Sequence, residues 1–187
     1  MRIISGLFKG KKILEPKDNK TRPLKDLTKE SIFNIIIHSN KFKINLIDSN
    51  ILDLFSGVGS FGLECLSRGV KKVVFIEYYN GVLSVLKKNL SNLKTIQNYE
   101  ILESNIYNEV TFSNLKFKFD IIFLDPPYKD NKIKNLFEHI KNLKLLNKNG
   151  IIIIHRHKKE KDIFPDGFNV IEEKIYGISK IIILSLS

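Results

Sequence analysis

The sequence predicts a single α/β domain: a mostly parallel β-sheet with helices on both faces, finished by an antiparallel strand. Three observations carry this prediction. Short apolar runs alternate with amphipathic helical segments along most of the chain. Runs such as FDIIFL at 119–124 and IIIIH at 151–155 are apolar on both strand faces, as in a parallel sheet covered on both sides. The last two apolar runs are separated only by Gly177 and its neighbours, which makes a hairpin. The length of 187 residues suits one compact domain, and 43% hydrophobic with 10% aromatic residues excludes a disordered chain.

Taken in order, residues 2–5 and 11–14 read as a short hairpin around Gly6 and Gly10. Residues 26–38 read as a helix with Asp26 or Thr28 as N-cap and Ile32, Phe33, Ile36 and Ile37 on one face. Strand 50–54 precedes a helix over 60–68, and strand 72–77 precedes a helix over 80–92. Strand 99–102 is followed by an irregular or short helical piece. Strand 119–124 leads to a helix over 131–146, strand 151–155 follows Gly150, and strands 168–176 and 178–186 close the chain. The expected organisation is an N-terminal hairpin-helix extension, residues 1–45, on a core of residues 46–187.

Composition removes several classes of function. A single cysteine, Cys65, excludes a disulfide framework and a cysteine zinc cluster; it reads as a small core residue. No apolar run approaches the roughly 18 residues of a membrane span, and MRIISGLFKGKKI lacks a signal-peptide core, so a soluble cytoplasmic protein is expected. The net charge of +11 is carried mainly by Lys, and the abundance of Ile and Asn beside it points to compositional bias. The N-terminal stretch is nevertheless locally basic, with Arg2, Lys9, Lys11, Lys12, Lys17, Lys20, Arg22 and Lys25, which suits a polyanionic partner.

Two constellations carry chemistry. In Asp53-Leu-Phe55-Ser56-Gly57-Val-Gly59-Ser60-Phe61-Gly62 a strand runs into a helix through G-x-G-x-x-G, and Glu77 ends the next strand. Glycines at this spacing let a ligand approach the helix N-terminus, and the acid suits ribose hydroxyls. A dinucleotide pyrophosphate would be repelled by Asp53. A cation with an amino-acid portion and a ribose, S-adenosylmethionine, fits better. The competing reading has Asp53 capping the helix and the glycines forming an ordinary turn.

The second constellation is Asp125-Pro126-Pro127-Tyr128, directly after strand 119–124. Two prolines make a rigid turn that holds a carboxylate and a carbonyl at the sheet's carboxyl edge. Methylating an exocyclic amine requires its delocalised lone pair to be localised. Accepting both N–H protons, on the Asp125 carboxylate and the Pro126 carbonyl, achieves this, while Tyr128 offers a stacking surface for the base. No metal is required.

These residues resemble the amino-group class of Rossmann-like S-adenosylmethionine-dependent methyltransferases. Arg2-Ile-Ile-Ser-Gly6, Lys9-Gly10-Lys11, Arg22-Pro23, Lys29-Glu30-Ser31-Ile-Phe33-Asn34 and Gly62-Leu-Glu64-Cys-Leu-Ser67-Arg68-Gly69 extend the likeness to the bacterial enzymes acting on guanine N2 of 16S ribosomal RNA. The resemblance implies a seven-stranded sheet, S-adenosylmethionine as cofactor and ribosomal RNA as partner; the small subunit or an assembly intermediate is the expected context and a monomer the expected state. It implies that Asp53, Gly57 and Glu77 hold the cofactor and that Asp125 to Tyr128 hold the amine; Phe55, Ser56, Gly59, Tyr78, Ser104 and Asn105 complete the cofactor candidates, Tyr78 reading equally as a surface aromatic, and Arg2, Lys9, Lys11, Arg22 and Asn34 are the substrate-contact candidates. Leu24 and Lys29 stand where the family commonly has Thr and Arg, Asn105 where it has Asp, and His155 where it has Glu. His155 and His157 alternate at a strand end, where a metal site would lack a third ligand; with Arg156, Lys158 and Lys159 a surface role near phosphates competes with the favoured reading, a solvated charged loop. Competing readings are an N6-adenine or DNA amino-methyltransferase, a glutamine-amide methyltransferase, a dinucleotide-dependent oxidoreductase and a non-catalytic RNA-binding protein.

Overall fold

The computed structural model describes residues 1–16, 24–108, 110–113, 115–127, 130 and 132–187. The elements run α1 (Asp26–His38), β1 (Asn50–Leu54), α2 (Ser60–Ser67), β2 (Lys72–Glu77), α3 (Asn80–Ser91), β3 (Tyr99–Glu103), α4 (Val110–Ser113), β4 (Phe119–Leu124), α5 (Ile133–Asn142), β5 (Leu146–His157), β6 (Phe168–Tyr176) and β7 (Ser179–Leu186). The sheet order is β3-β2-β1-β4-β5-β7-β6. The first five strands pair in parallel, and β7 lies antiparallel to both β5 and β6. This is the predicted Rossmann-like, mostly parallel, seven-stranded sheet.

Strand alternation sorts the apolar side chains into two layers. Ile51, Val73, Phe75, Ile121, Phe123, Ile151 and Ile153 face one core, shared with Phe33 of α1, Phe61 and Leu66 of α2 and Leu86 of α3. Leu52, Leu54, Val74, Ile76, Ile122, Leu124, Ile152 and Ile154 face the other, against Phe112 of α4 and Leu136, Phe137 and Ile140 of α5. Phe61 stacks on Phe123 at 4.0 Å between ring centroids and lies 5.3 Å from Phe33, so α1 and α2 are keyed to β4 by one aromatic column.

The N-terminal extension joins the first core through Ile3, Ile13, Ile32 and Phe33. Its anchor is the fully buried Glu64 on α2, which accepts the N–H groups of Ile4 (2.7 Å) and Ser5 (2.9 Å) and the Arg68 Nε–H (3.0 Å). Lys29 of α1, also fully buried, lies 3.6 Å from Glu64 and donates to the Arg2 carbonyl at 2.7 Å. Burial pulls the Lys29 ammonium pKa down, and Glu64 and Asp26 pull it back up. Buried Asn89 adds a second tie, exchanging hydrogen bonds with both the N–H and the carbonyl of Leu14.

Three local expectations change. The N-terminal hairpin is short: around the Arg2–Lys12 bridge, the Ile3 N–H reaches the Lys11 carbonyl (2.9 Å) and the Ile13 N–H the Met1 carbonyl (3.0 Å), and pairing stops at Ser5, whose N–H goes to Glu64. The α1 N-cap is Lys25, with no side-chain cap; Asp26 and Thr28 already lie inside the helix. Helix α5 stops at Asn142, since Lys144 adopts φ 50 and the Leu145 N–H turns back to the Ile140 carbonyl, freeing Leu146 to begin β5.

Candidate active site

Strands β1 and β4 are neighbours that feed connections toward opposite ends of the sheet, so their carboxyl ends form the switch point at which open α/β sheets bind ligands. Three acids converge there. Asp53 lies next to last on β1, Glu77 ends β2, and Asp125 follows β4. Leu54 pairs with Ile76 on one side and Leu124 on the other, which places these strand ends level.

Asp53 is 1% exposed, and its Oδ2 accepts the Gly62 N–H at 3.0 Å in the first turn of α2. The carboxylate therefore does cap the helix, holding the glycine turn from below. Burial pushes the Asp53 pKa well up; the charges of Asp125 and Glu77 push it further, against the Gly62 hydrogen bond. Gly62 is required by contact: a Cβ there would stand 2.2 Å from Phe75 Cε1 and 3.0 Å from Asp53 Oδ2. Gly59 is required by conformation, with φ 83 at the α2 N-cap.

Glu77 gathers the other end of the turn. Its Oε2 accepts the Gly57 N–H (2.9 Å), and its Oε1 accepts those of Tyr78 (2.9 Å) and Tyr79 (2.8 Å). A carboxylate offers about four acceptor sites, so a further donor such as a ribose hydroxyl is accommodated. Ser56 donates through Oγ to the Asp53 carbonyl at 2.6 Å. Phe55, at φ 58, presents its ring edge-on to Tyr107 with centroids 6.0 Å apart. Tyr78 is 61% exposed beside the turn.

On the β3 side, the Ser104 N–H reaches the Glu77 carbonyl at 3.2 Å, and its Oγ lies 2.7 Å from Thr111 Oγ1. Asn105 is exposed, and its Oδ1 accepts the Tyr107 N–H at 3.0 Å. Tyr107 in turn hydrogen-bonds Asp130, tying this loop to the segment after the double proline. Burial and the Asp130 carboxylate hold the Tyr107 phenol far above its ordinary pKa, hence neutral and a donor.

Asp125 is mostly buried and shares a 2.8 Å hydrogen bond between its Oδ1 and His155 Nδ1. Pro126 is buried and Pro127 exposed. The next residue of β5, Arg156, reaches the Pro127 carbonyl at 3.3 Å and the Asp130 carbonyl at 3.5 Å while its Nε pairs with Asp162 at 2.9 Å. The expectation of a solvated loop at His155 and Arg156 is thus corrected: both are 3% exposed, because β5 runs on to His157 inside the sheet. Sequence reading also missed Tyr107 and Asp130. A usable signal existed only for His155 and Arg156, in their position at the end of a buried strand.

Tyr128 and Arg22 lie outside the described residues. The remaining RNA-contact candidates are scattered. Arg2 is exposed, with Nε 3.9 Å from Asp26, and Lys9 is exposed. Lys11 donates to the Asn92 carbonyl and lies 5.4 Å over the Phe8 ring, so part of its role is to hold the extension against α3. Asn34 lines a shallow groove of about 410 Å³ with His38 of α1 and Glu172 of β6.

The chemistry of this edge is acidic. The stretch from Phe55 to Gly62 contains no Lys or Arg to balance a phosphate, whereas three carboxyl groups stand around it. A ligand with positive charge on one part and hydroxyls on another matches that set, and a dinucleotide does not.

Comparison with known proteins agrees with the fold. Ribosomal RNA small subunit methyltransferase D of Haemophilus influenzae is 32% identical over 179 residues, covering 95% of this chain and 90% of that protein. The protein of the same name from Buchnera aphidicola is 33% identical over 173 residues, covering 92% and 86%. The solved structure of yhhF from Escherichia coli aligns with TM-score 0.82 and 26% identity over 100% of this chain and 97% of that one. The family described as "Conserved hypothetical protein 95" matches residues 1–185, and the chain belongs to it.

Proposed function

We propose that this chain is an S-adenosylmethionine-dependent methyltransferase of small-subunit ribosomal RNA and that the methyl acceptor is the exocyclic N2 amine of a guanine. The observation that carries the reading is the position of Asp125 at the end of β4, beside the glycine turn that leaves β1. The names of the relatives support the ribosomal RNA class.

S-adenosylmethionine, when bound, supplies a methyl carbon on a cationic sulfur. Glu77 would hold its ribose, Asp53 and the Gly57–Gly59 turn its amino-acid portion, and Asn105 with Tyr78 its adenine. Asp125 and the Pro126 carbonyl accept the two amine protons and so localise the nitrogen lone pair toward the methyl. The surplus proton of the methylated nitrogen passes to the Asp125 carboxylate. Tyr128 stacks on the base, and the basic extension, through Arg2, Lys9, Lys11 and Arg22 with Asn34, meets RNA. Acceleration comes from orientation and preset acceptors, with no covalent enzyme intermediate.

The test offers labelled S-adenosylmethionine with 30S particles, naked 16S RNA and duplex DNA, followed by nucleoside mass spectrometry. N2-methylguanosine in RNA is expected. Label in DNA, or N6-methyladenosine in RNA, overturns the proposal. Calorimetry adds a second check: S-adenosylhomocysteine binds and NAD does not.

A further inference from the structure

We propose that His155 is a positioning residue for Asp125: its Nδ1–H fixes the carboxylate in the orientation that receives the acceptor amine. The inference rests on the reading of Asp125 given above and adds a residue to it. Strands β4 and β5 pair up to Leu124–Ile154, so Asp125, where β4 ends, stands next to His155, which continues β5 opposite Ile181 of β7. The 2.8 Å separation of His155 Nδ1 from Asp125 Oδ1 uses that placement. The imidazole is 3% exposed and has little rotational freedom, whereas a carboxylate on a loop turns readily about its last torsion. Locking it keeps an acceptor aimed at one point, and a misplacement of about 1 Å costs on the order of 10²-fold in rate.

Hydrogen-bond capacity gives a second reason. An N–H donated by His155 to Asp125 Oδ1 occupies one acceptor position of the carboxylate and leaves the others for the amine. Arg156, the adjacent residue, points to the other side of β5 and grips the Pro127 and Asp130 carbonyls, so it holds the loop's backbone while His155 holds the carboxylate.

The test compares wild type with His155→Leu, which fills the space without a donor, and His155→Asn, whose amide places an N–H close to where Nδ1 stood. In His155→Leu, kcat on the small-subunit substrate falls roughly 10- to 100-fold, while KM for S-adenosylmethionine and the affinity for S-adenosylhomocysteine stay within about twofold of wild type. His155→Asn recovers most of the rate. An Asn variant as slow as the Leu variant, or a Leu variant as fast as wild type, overturns the proposal. A readout independent of turnover is the side-chain ¹H–¹⁵N spectrum of the full-length protein. Nδ1 of His155 carries a proton in wild type, and the neutral ring moves toward the Nε2–H form in Asp125→Ala. An unprotonated Nδ1 in wild type overturns the proposal by itself. A wild-type chain inactive on ribosomal RNA but with Nδ1 protonated removes the substrate reading and leaves the His155–Asp125 pairing supported.

Discussion

Replacing Arg156 by Gln separates what the loop behind the double proline contributes to stability from what it contributes to rate. The side chain is buried, and with its charge go ion pairs to Asp162 and to the more exposed Glu160 and two contacts to backbone carbonyls. The Nε–Asp162 pair at 2.9 Å joins two buried groups, and its loss leaves the Asp162 carboxylate, among the described residues, with Lys180 at 3.9 Å as its neighbouring cation. A charge-assisted bond of this kind contributes about 2 kcal/mol. The two contacts to the Pro127 and Asp130 carbonyls, at 3.3 and 3.5 Å, are long and add about 0.5 kcal/mol each. The expected loss is about 3 kcal/mol, or roughly 6–12 °C in Tm for a domain of this size. The rate on ribosomal RNA, measured well below the lowered Tm, falls about tenfold while S-adenosylhomocysteine affinity is kept. The double variant Arg156→Gln with Asp162→Asn removes the stranded carboxylate, so it regains about half of the Tm loss but none of the rate. A Tm within about 2 °C of wild type, or a rate that recovers together with stability in the double variant, refutes the reasoning.

Three further outcomes are expected. Asp125→Ala abolishes methyl transfer and leaves S-adenosylhomocysteine binding within a few-fold, as read by calorimetry; undiminished turnover places the acceptor site elsewhere. Asp53→Asn keeps an acceptor for Gly62 but cannot ionise. Because the Asp53 pKa is raised in the folded chain, the native state holds a proton that the unfolded state has already lost, and wild-type stability falls as pH climbs from the ordinary carboxylate range through the raised value. The variant should therefore melt higher than wild type at pH 8, by a smaller margin at pH 4, and bind S-adenosylhomocysteine about tenfold more weakly; equal melting curves at both pH values count against a buried, raised Asp53. Gly62→Ala forces a methyl into Phe75, which is fully buried and has nowhere to withdraw, so chemical denaturation should show a loss of about 3 kcal/mol or more.

Much of the fold was legible because its signals are local. The strands at 50–54, 72–77 and 119–124 and the helix at 26–38 fall on their predicted residues, since apolar runs and the 3.6-residue period are read within one window. Where the signal was misleading, a long-range partner or an unusual backbone decided. Lys144 ends α5 in a left-handed conformation with no glycine to announce it, and Glu64 takes the Ser5 N–H at the point where the N-terminal hairpin would have gone on.

The site divides along the same line. Asp53, the glycines, Glu77 and the Asp125-Pro126-Pro127 turn were identifiable from spacing, because each lies where a strand gives way to a loop and the chemistry of that position depends on a few adjacent residues. Tyr107 and Asp130 were not, and His155 and Arg156 only as the end of a buried strand, because what brings them to the candidate site is a register between strands or loops far apart in the chain. Composition and order of residues determined which groups this protein carries to the carboxyl edge of its sheet. Which of them touch was decided only when β4 and β5 paired, for a hydrogen bond such as that of His155 with Asp125 depends on strand register, and register is settled by packing two whole faces of side chains at once.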